Sequence, residues 1–396
     1  MYWNTLQKQP HAVVTASLKP IEGGNRTLVD FLFRELLFFI TLAFLAYSVC
    51  LFIVVSHKDF WHLVWNSGDN LRYIHIAEAL REWNPQIIGK VKHFWGTGYG
   101  ILAVHILSLA DYGTCLLLLS IFCGVLGVAF AYRLYGRAVA AWFIFISAAL
   151  MQRILVGGSE PLFVALFLGS LLAIRGKFFG WGVLLAAVAA TVKPIGVFVI
   201  AAVFLTTLHR RNWACVVLYA FIAACVAVLY LVPIVLLTGS PLGNFVGYSE
   251  SWYQKFPISV PFYPIITTAL ASEAPLSNKI KIAAWVTTAV FVVVYYGLMR
   301  GQLRSHFFRY PEETVASLLI VLFQVSYNSQ WAWAEFPRFI APMVPFLLAQ
   351  VGIERLRPGW LLVTAPVFGL LAAVQIVGFQ KLLEPIAKVL AGVHSL

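Results

Sequence analysis

Chemistry in this sequence starts with one aspartate. Asp69 stands in the run Asn66-Ser67-Gly68-Asp69-Asn70-Leu71-Arg72-Tyr73-Ile74-His75-Ile76-Ala77-Glu78, after a glycine and at the opening of a helical pattern. Aspartate at a helix start is ordinary capping chemistry, because its oxygens accept from the first free N–H groups. A carboxylate in that place is also suited to take a proton from a hydroxyl as a general base. Spacings of three and four put Glu78 and Glu82 on one helical face and His75 with Glu78 on another, which a solvated amphipathic face also explains. His75, His93 and His105 lack the close spacing of a zinc site.

Three further charges stand beside breaks in long apolar runs. Glu160 follows Gly157-Gly158-Ser159 and precedes Pro161, the position of a first-turn carboxylate near the positive end of a helix dipole. Lys193 lies in Thr191-Val192-Lys193-Pro194-Ile195-Gly196, where proline and glycine interrupt the run and an ammonium has no structural need. Arg338 in Glu335-Phe336-Pro337-Arg338-Phe339 opens another run, where an arginine can also snorkel to headgroups.

The elements that position these residues follow from composition. Of 396 residues, 61% are hydrophobic and 11% charged, against the roughly 45–50% and 25% of soluble domains. This describes an all-α polytopic membrane protein forming one integral membrane domain. Windows matching the roughly 20 apolar residues of a transmembrane helix recur along it. Spans are expected near Phe31–Val55, Gly113–Tyr132, Ala138–Leu155, Glu160–Ile174, Trp181–Ala190, Gly196–Leu208, Trp213–Leu237, Ile282–Met299, Thr314–Tyr327, Phe339–Val351 and Trp360–Gly378, about eleven in all. Gly98–Leu109 is too short to span and reads as a re-entrant or interfacial helix. The first helix is expected to be retained, since no cleavage site follows it. The five cysteines fall inside apolar windows without ligand spacing and read as small buried side chains.

The net charge of +12 reports orientation rather than nucleic-acid binding. With a cytoplasmic amino terminus (1–30), the inner connections receive Arg133/Arg137, Arg175/Lys177, Arg210/Arg211, Arg300/Arg304/Arg309 and Arg355/Arg357. With the amino-terminal lysines and arginines they hold fifteen of the 28 basic residues, as the positive-inside rule requires. Two long outer segments remain: 56–112, including a polar stretch to Trp95 and the short apolar helix, and 238–281. Both are rich in Trp, Tyr and charge, and connections of this length are usually functional.

An outer carboxylate with two cations at membrane breaks fits an enzyme acting on a lipid phosphate. Asp69 would deprotonate the acceptor, and Lys193 and Arg338 would hold the phosphate leaving group. No phosphate-binding glycine loop is present, and an outward site has no access to cytoplasmic sugar nucleotides. A secondary transporter or lipid flippase is the alternative, since broken helices such as Thr191–Gly196 are typical of transporters; no paired repeat is visible.

Across most of its length the sequence resembles the GT-C glycosyltransferases, and among them the mannosyltransferases related to the second mannosyltransferase of GPI-anchor synthesis and their bacterial relatives. The order of features is similar: Asp69 after the first span, Tyr73 and Ile76-Ala77, the short helix Tyr99–Leu109, Ser159-Glu160-Pro161-Leu162-Phe163, Thr191–Gly196, Glu250-Ser251-Trp252-Tyr253-Gln254-Lys255 before Pro257 and Pro261, and Arg338-Phe339 before Pro342 and Pro345.

The resemblance implies a GT-C-type bundle with juxtamembrane helices in its outer loops. It implies transfer of a hexose, mannose by default, from a polyprenyl-phosphate donor to a lipid- or glycan-linked acceptor, inverting, with Asp69 as base. Substrate contacts are expected from Asn70, Tyr73, His75, Glu160, Glu250, Trp252 and Lys255. No cofactor is expected, and Asp69-Asn70 lacks the paired acids that would favour a divalent metal. The compact loops suggest a bacterial plasma membrane. The sequence departs from the family pattern at Gly68 (usually Trp), Lys193 (Arg), Glu250 (Gln) and Phe339 (Tyr), and a lysine loses the bidentate fork of arginine.

Overall fold

The computed structural model describes residues 28–57, 59–66, 69–88, 95–239, 259–263, 266, 300–327, 340–351, 361, 364–367, 369–370 and 373. By internal contacts the chain divides into Met1–Leu42 and Ala43–Leu396. The described part of the first unit is the beginning of α1 (Leu28–His57), and everything below concerns the second.

The described residues are helical, as the composition requires. After α1 come α2 (Phe60–Asn66), α3 (Asn70–Glu82), α4 (Pro85–Ile88), α5 (Trp95–Ser108), α6 (Tyr112–Tyr135), α7 (Arg137–Ile146), α8 (Ala148–Val156), α9 (Glu160–Arg175) and α10 (Phe179–Val192). A 3-10 turn (Pro194–Gly196), α11 (Val197–His209) and α12 (Trp213–Thr238) follow, then α13 (Arg300–Arg309), α14 (Pro311–Ser326), a second 3-10 turn (Ala341–Met343) and α15 (Val344–Val351).

Among the described residues α6 and α12 are long and apolar enough to cross a membrane. A third candidate is the pair Thr41–Ser56 and Phe60–Asn66, bent by 98°. At 1.5 Å per residue α6 spans about 36 Å, more than a hydrocarbon core of roughly 30 Å, whereas α9 reaches about 24 Å. The expected span Ala138–Leu155 is two helices, broken at Ser147 (φ −87°, ψ 59°). A hydropathy window averages over such a break and cannot see it. The expected spans Ile282–Met299 and most of Trp360–Gly378 lie outside the described residues.

The α6 helix is started by Asp111, whose side chain accepts from Thr114 N at 3.0 Å. Partial burial pushes this carboxyl up, but the Thr114 hydrogen bonds outweigh it and hold the group below its ordinary value. The α12 helix is capped by Asn212, accepting from Cys215 N at 3.3 Å, and ends at Gly239 in the left-handed region (φ 72°). Its outward face carries exposed Val217, Phe221, Val228, Leu229 and Leu236. A helix apolar on its exposed side is suited to lipid, not water.

The helices of segment 56–112, expected to form the first outer loop, are built into the bundle. Tyr73, Ile74 and Ala77 of α3 pack with Ile101 of α5, Cys115, Leu116, Leu119 and Cys123 of α6 and Ala165 of α9. On its other side α3 sets Ile76 and Ala79 against Ile234 and Leu237 of α12. At Gly96 a Cβ would lie 2.5 Å from Thr191 Oγ1 and 2.7 Å from the Thr191 carbonyl carbon, so the start of α5 can approach the end of α10 only as glycine. Cys50, Cys115 and Cys123 are buried as expected, but Cys225 is exposed, and all five thiols are free.

One end of the bundle is tied by charge. Arg175 at the end of α9 forms a fork on Glu313 of α14, with Nε to Oε2 at 2.6 Å and Nη2 to Oε1 at 2.8 Å. Its Nη1 donates to the Leu134 carbonyl, and its guanidinium lies over the Tyr135 and Tyr310 rings. Tyr135 Oη donates to Glu313 at 2.8 Å, His306 Nε2 stands 2.9 Å from the same carboxylate, and Arg210 pairs with Glu312 at 2.9 Å. Four of the connections expected on one side, those carrying Leu134 and Tyr135, Arg175, Arg210, and His306 and Tyr310, thus meet at one end, while Arg355 and Arg357 lie outside the described residues.

Candidate functional site

The site lies at the other end of α9. Asp69 is the residue before α3 (φ −96°, ψ 8°), yet its side chain makes no capping hydrogen bond. Its carboxylate instead takes Arg72 Nη1 at 2.9 Å, with the aspartate side chain 22% exposed. The capping explanation therefore does not account for this aspartate.

Asn70 fixes where the start of α3 sits. It is fully buried, and its amide nitrogen donates to Val64 O at 2.8 Å and Val156 O at 2.9 Å. Val156 ends α8, so the bond satisfies a carbonyl that the helix leaves over. Asn70 Oδ1 is buried with no hydrogen-bond partner among the described residues. One turn on, buried Tyr73 donates its hydroxyl to Ser159 Oγ at 3.1 Å. Ser159 precedes α9 but makes no side-chain cap bond. Ser120 of α6 completes the frame, accepting from Gly158 N at 3.1 Å.

The frame leads directly into a buried ion cluster. Glu160 Oε1 accepts from Lys193 Nζ at 2.7 Å, and Glu160 Oε2 lies 3.8 Å from Arg153 Nε. All three residues are at least nine-tenths buried. Lys193 reaches it because α10 stops there: the residue before proline is driven out of the helical region, and Lys193 is extended (φ −142°, ψ 127°). Gly158 belongs to the same packing, since a Cβ there would lie 2.8 Å from both Arg153 Cδ and Glu160 Oε2.

The structure thus brings Asp69, Asn70, Tyr73, Glu160 and Lys193 into one framework, with Lys193 held by a carboxylate the sequence does not pair with it. His75 is half-buried on α3. Arg338, Glu250, Trp252 and Lys255 lie outside the described residues. Sequence reasoning missed Arg153, although an arginine inside the expected span Ala138–Leu155, seven residues before Glu160, was a readable signal. Among the described residues no group of three or more His, Cys, Asp and Glu side chains could hold a metal ion.

Chemically, the arrangement offers one partly exposed carboxylate able to accept a proton and two buried cations held together by a third charge.

No protein-family model matches the chain, and no curated protein matches it. Among solved structures it is similar to the apo-state ArnT of Cupriavidus metallidurans, with a TM-score of 0.47 and 15% identity. The likeness covers 85% of this chain and 62% of that one, so the chain spans under two thirds of that structure.

Proposed function

We propose that the chain is a GT-C-type membrane glycosyltransferase that moves a hexose, mannose by its sequence resemblance, from a polyprenyl-phosphate donor to a lipid- or glycan-linked acceptor. The observation that carries this reading is the pairing of two features at one end of the bundle. Asp69 opens α3 without capping it, and Asn70 and Tyr73 tie that helix to the segment that delivers Glu160, Lys193 and Arg153.

Asp69 takes the proton of the acceptor hydroxyl as its oxygen bonds to the sugar's anomeric carbon. The anomeric carbon–oxygen bond to phosphate breaks, polyprenyl phosphate leaves with the electron pair, and the anomeric centre inverts. Lys193 and Arg153 bear on the phosphate, and Glu160 offsets their mutual repulsion. Asn70, fully buried, positions Asp69 by fixing the start of α3. Arg338 is assigned to the donor phosphate from its place at a break in an apolar run, and Glu250, Trp252 and Lys255 are assigned to substrate by resemblance. The amino terminus is cytoplasmic and the site faces outward across a bacterial plasma membrane.

The test is transfer of radiolabelled mannose from synthetic polyprenyl-phosphate mannose to a lipid extract, with purified protein and its Asp69→Asn variant. Transfer by the unaltered protein and a loss of about 100-fold or more in the variant support the proposal. Equal rates in the two overturn Asp69 as base. The buried ion pair at the Lys193-Pro194 break also suits a secondary transporter. Donor binding with no transfer to any extract fraction would favour that reading.

A further inference from the structure

The helices α10 and α12 pack together but leave a groove of about 620 Å³ between them, within the range of roughly 300–1,000 Å³ usual for ligand cavities. From α12 it is lined by Leu218, Ile222, Cys225 and Leu229, spaced by four, three and four along one helical stripe. From α10 it receives Trp181 and Leu184. The α12 stripe is about 16 Å long at 1.5 Å per residue, the scale of one leaflet's acyl chains in a hydrocarbon core of roughly 30 Å.

The groove is polar at one end only. Lys177 lines it there, exposed, in the turn between α9 and α10. Its backbone is left-handed (φ 64°), a conformation glycine takes more cheaply. The same end of the bundle carries Arg210 and Arg211 before α12. Trp181 is 65% exposed, as an aromatic at the headgroup level would be.

We propose that this groove is a binding site for an anionic phospholipid, with one acyl chain along the α12 stripe and the headgroup phosphate at Lys177. A long apolar trough ending in a single cation matches the polarity of such a molecule along its whole length. The proposal needs the chain to lie in a membrane and does not depend on sugar transfer.

Cys225 provides the test. It is the exposed cysteine of the five, with Cys50, Cys115 and Cys123 buried. Delipidated protein in detergent is alkylated with a maleimide in the presence of phosphatidylglycerol or phosphatidylcholine carrying identical chains, and labelling at Cys225 is read by mass spectrometry. Phosphatidylglycerol should protect Cys225 at concentrations about fivefold lower than phosphatidylcholine, the effect of one lysine near anionic lipid. Lys177→Gln should abolish that preference and leave protection by phosphatidylcholine unchanged. Gly180→Phe should slow alkylation without lipid and remove both lipid effects, because a Cβ at Gly180 has only Ile222 Cδ1, at 3.7 Å, as a neighbour and a larger side chain enters the groove. Equal protection by the two lipids, or no protection by either, overturns the proposal. Lipid-independent protection that rises with protein concentration also overturns it, in favour of a second copy of the chain.

Discussion

The Lys193 ammonium lies 2.7 Å from the Glu160 carboxylate, with both residues buried and 33 positions apart in sequence. Arg153 stands 3.8 Å from the other Glu160 oxygen. Removing one partner from a buried pair leaves an uncompensated charge, at a cost of about 3–5 kcal/mol. The two single substitutions, of Glu160 and of Lys193, are therefore unequal. Glu160→Gln leaves two cations side by side and should lower the unfolding temperature in detergent more than Lys193→Met, which leaves Glu160 with Arg153. Adding Lys193→Met to Glu160→Gln should restore part of the loss. A thermal double-mutant cycle checks this, and a Lys193→Met variant as damaged as Glu160→Gln would show that Arg153 does not share the carboxylate.

Asn70 makes a separate prediction that involves pH. Its amide nitrogen donates to the carbonyls of Val64 and Val156, so Asn70→Asp keeps the volume and turns a donor into an anion facing carbonyl oxygens. Loss of the bonds leaves buried acceptors unsatisfied at about 1–3 kcal/mol, more for a charged group. Burial beside carbonyls raises the folded-state pKa of the new carboxyl above its unfolded value. Its neutral form is thus the tolerated one: the variant is least impaired below the unfolded pKa of about 4 and loses stability as pH rises above it. Thermal melts of both proteins from pH 4 to 8 should diverge upward in pH. Parallel curves would mean that residue 70 is reached by water.

The sequence pointed to Asp69, Asn70, Tyr73, Glu160 and Lys193, which the structure brings together, and to little of what holds them. Asp69 marked a helix start by its residue type, and Lys193-Pro194 marked a helix stop because proline drives the residue before it out of the helical region. The break at Ser147 carries no glycine or proline, so the apolar window Ala138–Leu155 read as one span and Arg153 disappeared into it. Partners separated by 86 positions, as Tyr73 and Ser159 are, or by 138, as Arg175 and Glu313 are, leave no local spacing to read. Helix existence was legible from hydropathy. Helix length was not, since most of the described helices stop short of a bilayer's thickness.

The Arg175–Glu313 fork should be the main electrostatic tie at the end remote from the site. Arg175→Lys keeps the charge but cannot make two parallel bonds to the carboxylate and also reach the Leu134 carbonyl. It should therefore destabilise by about 2 kcal/mol or more, within the cost of leaving buried polar groups unpaired. Arg210→Lys, at the pair of half-exposed Arg210 with buried Glu312, keeps a cation beside the carboxylate and gives up at most one hydrogen bond, so it should cost no more than about 1 kcal/mol. Thermal melts in detergent rank the two, and equal losses would contradict the central place given to Arg175.

Glycine substitutions separate packing from backbone conformation. At Gly158 an added methyl would lie 2.8 Å from Arg153 Cδ and from Glu160 Oε2, so Gly158→Ala must spread the ion cluster. Overpacking of this kind costs about 1–3 kcal/mol, and here it falls on groups assigned to the donor phosphate. Gly136 has a positive φ of 90° but nothing within 4 Å of a Cβ. Gly136→Ala therefore strains only its own backbone (φ 90°, ψ 177°), a cost of about 1–3 kcal/mol, at the end of the bundle away from the site. Both variants should melt earlier than the unaltered protein. Only Gly158→Ala should also weaken binding of a polyprenyl phosphate, measured in detergent against the uncharged polyprenol as control. If Gly136→Ala weakens that binding as much, the effect is loss of fold, and the cluster at Glu160 has no special claim on the phosphate.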